Sequence, residues 1–204
     1  SSGARHDLTI APVRPGVLGL GYCLAALLST LVVGFTGLAA CLSYLAVTGW
    51  YLSAVDVALL ALDILLLAAF GTALSSCVNF FLTTDGQASA VGTVVSAGYG
   101  FVCGAYMPIS SFGPGLQRAF SFLTVTYGTG LLRNHALRGV FAQMRALGFP
   151  DAVMDAIGDS VDCNLYFYGA RVHTGAMYAV LCGSILLLMA AYLLMNHLAA
   201  RKNG

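Results

Sequence analysis

Residues 57–82 read VALLALDILLLAAFGTALSSCVNFFL, a run of 26 residues whose single charge is Asp63. A helix that crosses a hydrocarbon core of about 30 Å needs about 20 apolar residues. Residues 18–47, 88–107 and 175–197 form three further long, uncharged runs. Each run is expected to be helical, because an isolated strand in lipid leaves its backbone polar groups unpaired. The sequence therefore predicts an all-α polytopic membrane protein with four transmembrane helices.

The composition indicates the same class. The chain is 59% hydrophobic and 8% charged, whereas soluble domains average roughly 45–50% and about 25%. Its nine basic residues are eight Arg and Lys202, and its eight acids are all Asp, so the formal net charge is +1. This near-neutral balance argues against a nucleic-acid partner.

The basic residues also predict an orientation. Arg5, Arg14, Arg201 and Lys202 flank the outer runs, whereas the link at residues 48–56 has no basic residue. By the positive-inside rule both ends of this segment are cytoplasmic, and residues 110–174 are extracytoplasmic. The five Arg of that segment do not oppose this assignment, because the rule weakens in loops beyond about 60 residues.

Small residues recur every four positions in the third predicted span. They are Gly92, Ser96, Gly100 and Gly104, which would lie on one face of a continuous helix. Small residues let a neighbouring backbone approach closely. The face therefore indicates either packing within the chain or an interface with a second copy or a partner subunit.

Asp63 is the most unusual polar residue of the predicted spans. An intramembrane carboxylate is costly unless it is paired, hydrated or protonated. Asp56 lies seven residues earlier on roughly the same helix face. The two are either candidate lining of a substrate pathway or hydrogen-bonded packing residues.

Other motifs exclude several functions. His6, His135, His173 and His197 are scattered and give no metal-ligand spacing, and the chain lacks the Glu of a zinc-protease helix and a nucleophile elbow. A phosphate-binding P-loop needs a Lys after its glycine-rich turn, and the only Lys is Lys202. We therefore expect no metal and no catalytic residue here, and any ATP hydrolysis must reside on another polypeptide or another part of this one.

Two features of the long segment leave alternatives. Residues 140–162 are typical of an amphipathic helix pair, in which Asp151, Asp155, Asp159 and Asp162 share a solvated face or, less favoured, bind a cation. Cys163 is the one Cys in a polar stretch. A free, exposed thiol is favoured there over an intermolecular disulfide.

Two stretches resemble the type-2 ABC transporter permeases. Residues 7–15 (DLTIAPVRP) lead into residues 18–22 (LGLGY) in the way that a coupling helix precedes the third membrane helix of that family. Residues 104–112 (GAYMPISSF), 115–117 (GLQ) and 126–135 (TYGTGLLRNH) resemble its extracytoplasmic region, where a re-entrant hairpin precedes the last helix. The resemblance covers nearly the whole chain, and its four helices would be the third to sixth of six. It implies a partial transmembrane domain that lacks the first two helices.

The resemblance implies roles for residues that composition cannot explain. Residues 5–17 would dock on a cytoplasmic ABC ATP-binding subunit, which holds the ATP and Mg. The contacts would come from Arg5, His6, Asp7, Pro12 and Arg14; the alternative is a solvated flank on lipid headgroups. The external gate region would contain Pro108, Phe112, Tyr127 and Arg133. A second permease half, identical or different, would complete the transporter.

The resemblance therefore favours a cell-membrane exporter subunit over two rivals. One rival is a non-transporting assembly or immunity-type protein on the same scaffold. The other is an intramembrane enzyme, which the absent motifs disfavour. Drugs, lipids, peptides and polysaccharide precursors all remain open as substrates.

Overall fold

A computed structural model describes residues 15–82 and 84–202, with side chains for residues 19–82 and 84–199. The described chain is mostly helical. Its helices are α1 Pro15–Thr48, α2 Ala54–Phe80, α3 Asp85–Val102, α4 Pro114–Phe120, α5 Thr124–Ala146, α6 Asp151–Ser160 and α7 Thr174–Lys202. A hairpin of two short strands, β1 Tyr166–Phe167 and β2 Ala170–Arg171, lies between α6 and α7.

Three helices of the described chain are long and apolar enough to cross a membrane. They contain Gly19–Thr48, Ala54–Phe80 and Thr174–Ala199, and they match three of the four predicted spans. Many of their large apolar side chains are exposed, among them Val33, Leu186 and Leu187. These helices are compatible with a multi-pass membrane protein.

The remaining predicted span, residues 88–107, differs from its prediction. The helix there, α3, has 18 residues and ends at Val102. It is not among the three helices that meet the length and apolarity of a span, because it begins with Asp85 and Gln87 and contains four glycines. Gly104 follows the helix with a φ of 71°, a left-handed conformation that glycine adopts readily. The prediction that Gly104 continues a helical face is therefore wrong.

A capping box begins α2 directly after the short link from α1. The Ser53 hydroxyl accepts a hydrogen bond from the Asp56 amide, and the Asp56 carboxylate accepts one from the Ser53 amide. This reciprocal pairing satisfies two backbone donors at a helix start. It fixes the end of α2 that faces the long segment.

The core lies where α2, α5 and α7 meet, while α1 packs outside on α2 and α7. Its most buried members, Leu131, Met177 and Leu181, expose at most 1% of their surface. Gly128 fits against Leu67 of α2 and Gly130 against Leu165, and an added Cβ would overlap either leucine. Glycines in α5 therefore allow its close approach to the core.

Helix α5 runs antiparallel to both of its long neighbours. Near its start the Thr124 hydroxyl lies 2.8 Å from that of Ser184, and three turns later His135 contacts Asp63. Ser184 lies ten residues after Thr174, which is about 15 Å along α7. The first turns of α5 therefore lie between α2 and α7 well below the end of the bundle.

The predicted helix pair at residues 140–162 is partly correct. Two helices are present, but the first begins at Thr124, well before residue 140, and the second is Asp151–Ser160. Asp162 lies beyond α6 with a φ of 54° and is only 3% exposed. Its placement on a solvated Asp face is therefore wrong, whereas Asp151 and Asp155 are exposed as expected.

Candidate functional site

A buried polar cluster joins α2, α5 and α7. Asp63 has no exposed surface. One of its carboxylate oxygens lies 2.6 Å from His135 Nδ1, and the other accepts a hydrogen bond of 2.7 Å from the Tyr178 hydroxyl. The rings of His135 and Tyr178 are stacked with centroids 6.2 Å apart. One carboxylate thus ties the inserted helix α5 to both of its neighbours.

This cluster can hold a proton between Asp63 and His135, and when His135 is protonated the two form an ion pair. Asp63 lies nine residues into α2, about 14 Å along the helix, and in this conformation its carboxylate has no open path to solvent. The geometry thus matches the hydrogen-bonded packing alternative for Asp63. Pathway lining would require a conformation in which the carboxylate is exposed.

Asp56 occupies a separate contact two turns away on α2. One of its oxygens accepts hydrogen bonds from the Ser53 amide and hydroxyl, and the other lies 3.4 Å from Arg138 Nη1. Arg138 is one turn beyond His135 on α5. Asp56 and Asp63 thus both bind α5, and both are buried, with 3% and 0% of their surface exposed.

A second cluster anchors the end of α3 to the long segment. The Asp162 carboxylate accepts hydrogen bonds from the Ile109 and Ser110 amides and lies 3.6 Å from Arg133 Nη1. Arg133 donates to the backbone carbonyls of Cys103 and Gly104. These bonds satisfy the carbonyls at the end of α3 and hold the following turn against α5.

The residues expected in an external gate are close to this second cluster. Arg133 is one of its members, and Pro108 directly precedes the Ile109–Ser111 turn that Asp162 binds. Phe112 packs edge-to-face on Phe120 with ring centroids 5.3 Å apart. Tyr127 is buried and donates its hydroxyl hydrogen to the Ser121 carbonyl. The structure thus brings these four residues to one region, around α4 and the first half of α5.

The other predicted residues are not brought together with these clusters. Gly92 and Ser96 lie on α3, which has no buried residue, and Gly100 packs on Tyr106 of its own chain. An added Cβ at Gly92 would meet no neighbouring atom. The expected coupling residues Arg5, His6, Asp7, Pro12 and Arg14 lie outside the described residues. Among the described residues, no three His, Cys or Asp side chains are grouped as metal ligands.

Sequence reasoning missed three members of these clusters: His135, Tyr178 and Asp162. Their partners are 72, 115 and 52–53 residues away along the chain. The only local signal for these contacts was that His135 and Arg138 lie one turn apart on a helix. Each of the two contacts an Asp of α2. No local pattern identifies Tyr178.

Cys163 is a free thiol, but it is 4% exposed instead of open to solvent. Burial, the largest cause, raises the pKa of this thiol to about 11. Because the folded protein holds the thiol proton more tightly than the unfolded chain, the raised pKa favours the folded state. This contribution to stability is fully present below the unfolded pKa of 9.0 and is lost as the pH rises through the folded pKa of about 11.

We therefore expect Cys163 of the native protein to react with a maleimide far more slowly than in detergent-denatured protein at neutral pH, because the thiolate is the nucleophile. A variant that retains only Cys163 allows this comparison by mass spectrometry. The same variant made as Cys163→Ser is the blank. Equal native and denatured rates would contradict the burial of the thiol.

Comparisons with protein-family models, with curated proteins and with solved structures give no match to this chain.

Proposed function

We propose that the chain is the membrane-spanning permease subunit of an ATP-driven ABC exporter, located in the cell membrane with both ends of this segment cytoplasmic. It forms the substrate path and receives its energy from a separate ATP-binding subunit that holds ATP and Mg. A second permease half completes the path. The observation that best supports this proposal is that α5 inserts between α2 and α7.

The insertion is what the family resemblance implies for this part of the chain. A re-entrant hairpin is expected between the last two membrane helices, and α4 and the first turns of α5 lie within that part of the sequence. The Thr124–Ser184 contact lies about 15 Å along α7. Backbone below the membrane surface is tolerated where protein covers it, and Val125 and Leu131 are buried.

In this proposal α3 is a membrane span in addition to α1, α2 and α7. Its 18 residues extend about 27 Å, close to the hydrocarbon thickness of about 30 Å. None of its residues is buried within the described chain, so lipid or the second permease half must cover it. The small residues Gly92 and Ser96 suit the close approach of that second half.

In this proposal the two polar clusters control an external gate. The Asp63 cluster holds α5 to α2 and α7, and the Asp162 cluster holds the end of α3 to α5. ATP binding can drive transport only through different affinities for two conformations. Movement of α5 against these contacts supplies two such arrangements.

The first test is copurification. The chain, expressed together with a candidate ABC ATP-binding subunit, is expected to bind that subunit stably and to stimulate its ATPase activity in lipid. A chain that binds no ATP-binding subunit would overturn the exporter proposal. It would favour a non-transporting assembly or immunity-type protein.

A charge-reducing double variant tests the coupling segment. Asp7→Ala with Arg14→Ala is expected to leave ATP hydrolysis in the partner but to lower stimulation by the permease at least tenfold. The matched control is Asp151→Ala with Arg145→Ala, which removes the same two charges from exposed positions in the long segment. Equal stimulation in both double variants would contradict the assigned coupling role.

A further inference from the structure

A cavity of about 670 Å³ lies between α1, α2 and α7, at the end of the bundle opposite the long segment. It is lined by the first turns of α1, by residues 71–80 of α2 and by Tyr192 and Asn196 of α7. This is the end at which α1 begins at Pro15 and α7 ends at Lys202, and it is the predicted cytoplasmic end. Neither Asp63 nor Asp56 lines the cavity.

The lining of this cavity is polar but uncharged. Among the described residues, the lining includes no Asp, Arg, Lys or His. The hydroxyls of Thr30 and Thr72 donate to carbonyls four residues earlier on their own helices, and the Asn196 amide donates to the Tyr192 carbonyl. Their oxygens remain free to accept hydrogen bonds, as does the side-chain oxygen of Asn79, whose amide donates to Ser75. The cavity is therefore rich in acceptors.

Aromatic rings complete the chemistry of the cavity. Tyr22, Phe80 and Tyr192 contribute to its lining. The face of an aromatic ring attracts a cation, and oxygen acceptors suit an ammonium group, which only donates hydrogen bonds. An anion would find no basic partner among the described lining residues. The site therefore favours an organic cation.

An apolar groove of about 350 Å³ adjoins the polar cavity. The two share Cys23 and Thr72 as lining residues. The rest of the groove is apolar, with Leu20, Leu24, Leu27, Ala69, Ile185 and Met189. A single molecule can thus place its polar end among the acceptors and its apolar end in the groove.

We propose that this joint cavity and groove bind an amphipathic amine, with the ammonium group among the oxygens of Thr72, Asn79 and Asn196 and the hydrocarbon part in the groove. The inference that this ligand is the transported substrate rests on the proposed exporter function. Binding of the ligand does not require the ATP-binding subunit. The site opens at the predicted cytoplasmic end, where an exporter takes up its substrate.

Binding is measured on the purified full chain in lipid nanodiscs, with empty nanodiscs as the background. The probe is a dansyl-labelled alkylamine with one free ammonium group. Decylamine is expected to displace it at least tenfold more effectively than decanol, and decanoate is expected not to displace it. Equal competition by all three, or effective competition by decanoate, would overturn the assignment of a cationic ligand.

Variants locate the binding. Thr72→Val with Asn79→Leu removes two acceptor oxygens and is expected to weaken decylamine binding about tenfold. The control is Thr36→Val, because Thr36 makes the same bond to its own helix but does not line either cavity. Asn79→Asp keeps the side-chain shape and adds a carboxylate, so it is expected to tighten binding about tenfold.

The outcomes separate this inference from the proposed exporter function. Unchanged affinity in both Asn79 variants would overturn the site even if the chain still binds its ATP-binding subunit. Tight, variant-sensitive amine binding without any ATP-binding partner would support the site and would overturn the exporter proposal.

Discussion

Replacing Asp63 with alanine is expected to lower the free energy of unfolding by about 3–5 kcal/mol and to release α5 from the bundle. The substitution removes the shared partner of His135 and Tyr178, which are held at 2.6 and 2.7 Å from the carboxylate. Both would keep an unpaired polar group between packed helices, and the desolvation of such groups is not recovered. A cavity would form as well, because Asp63 is fully buried.

Thermal unfolding in a fixed detergent and limited proteolysis after Arg138 measure this effect. The triple variant Asp63→Leu, His135→Leu, Tyr178→Phe is expected to regain most of the stability, since apolar residues of similar volume often replace a buried polar group without loss. Asp151→Ala is the control, because that carboxylate is exposed at the start of α6. An Asp63→Ala variant as stable as this control would contradict a role for the cluster in holding α5.

The Asp63 cluster also shows what the sequence can predict. The hydrophobic run around Asp63 predicts a membrane-spanning helix and an unusual carboxylate, since length and apolarity are local properties. Two partners for this carboxylate come from helices 72 and 115 residues away. Their identity depends on how three helices rotate and slide against each other, which no local period encodes.

The boundaries of helix α5 differ most from the boundaries expected from the sequence. Residues 126–130 read TYGTG, and such Thr and Gly clusters favour loops over helices in isolation. In the structure they are helical because Gly128 and Gly130 let α5 approach Leu67 and Leu165 closely. Tertiary packing outweighs the local preference here. Tyr127 and Arg133 of the predicted gate region and residues 140–146 of the predicted helix pair consequently lie on one continuous helix.

The location of the four residues assigned to an external gate was easier to predict than their contacts. The resemblance grouped Pro108, Phe112, Tyr127 and Arg133 in one region, and the structure places them there around α4 and α5. The central member of that region, Asp162, was assigned to a solvated face by its spacing after Asp159. Its φ of 54° turns the chain after α6 and directs the carboxylate inward. A helix period does not apply beyond the end of the helix.

Replacing Asp162 with alanine is expected to be the second most damaging change, with a loss of about 3 kcal/mol in the free energy of unfolding, because hydrogen bonds to charged groups are worth about 1.5–3 kcal/mol each. The carboxylate is 3% exposed and accepts hydrogen bonds from the Ile109 and Ser110 amides. Without it, those amides lose their acceptor and Arg133 loses its only nearby counter-ion among the described residues.

The loss of structure in Asp162→Ala is expected to affect the turn after α3 before the rest of the fold. Hydrogen exchange should quicken at Ile109 and Ser110 and in the turn after α3, whereas the Asp63 cluster keeps α5 in place. Asp155→Ala is the matched control, because its ion pair with Arg171 is more than half exposed on both sides, and such surface pairs contribute about 0–1 kcal/mol. Asp162→Asn separates charge from shape, since its amide oxygen still accepts one backbone hydrogen bond while the attraction to Arg133 is lost. If exchange in this turn is the same in Asp162→Ala as in Asp155→Ala, the Asp162 carboxylate does not anchor the end of α3, and the assigned connection between that helix and α5 is wrong.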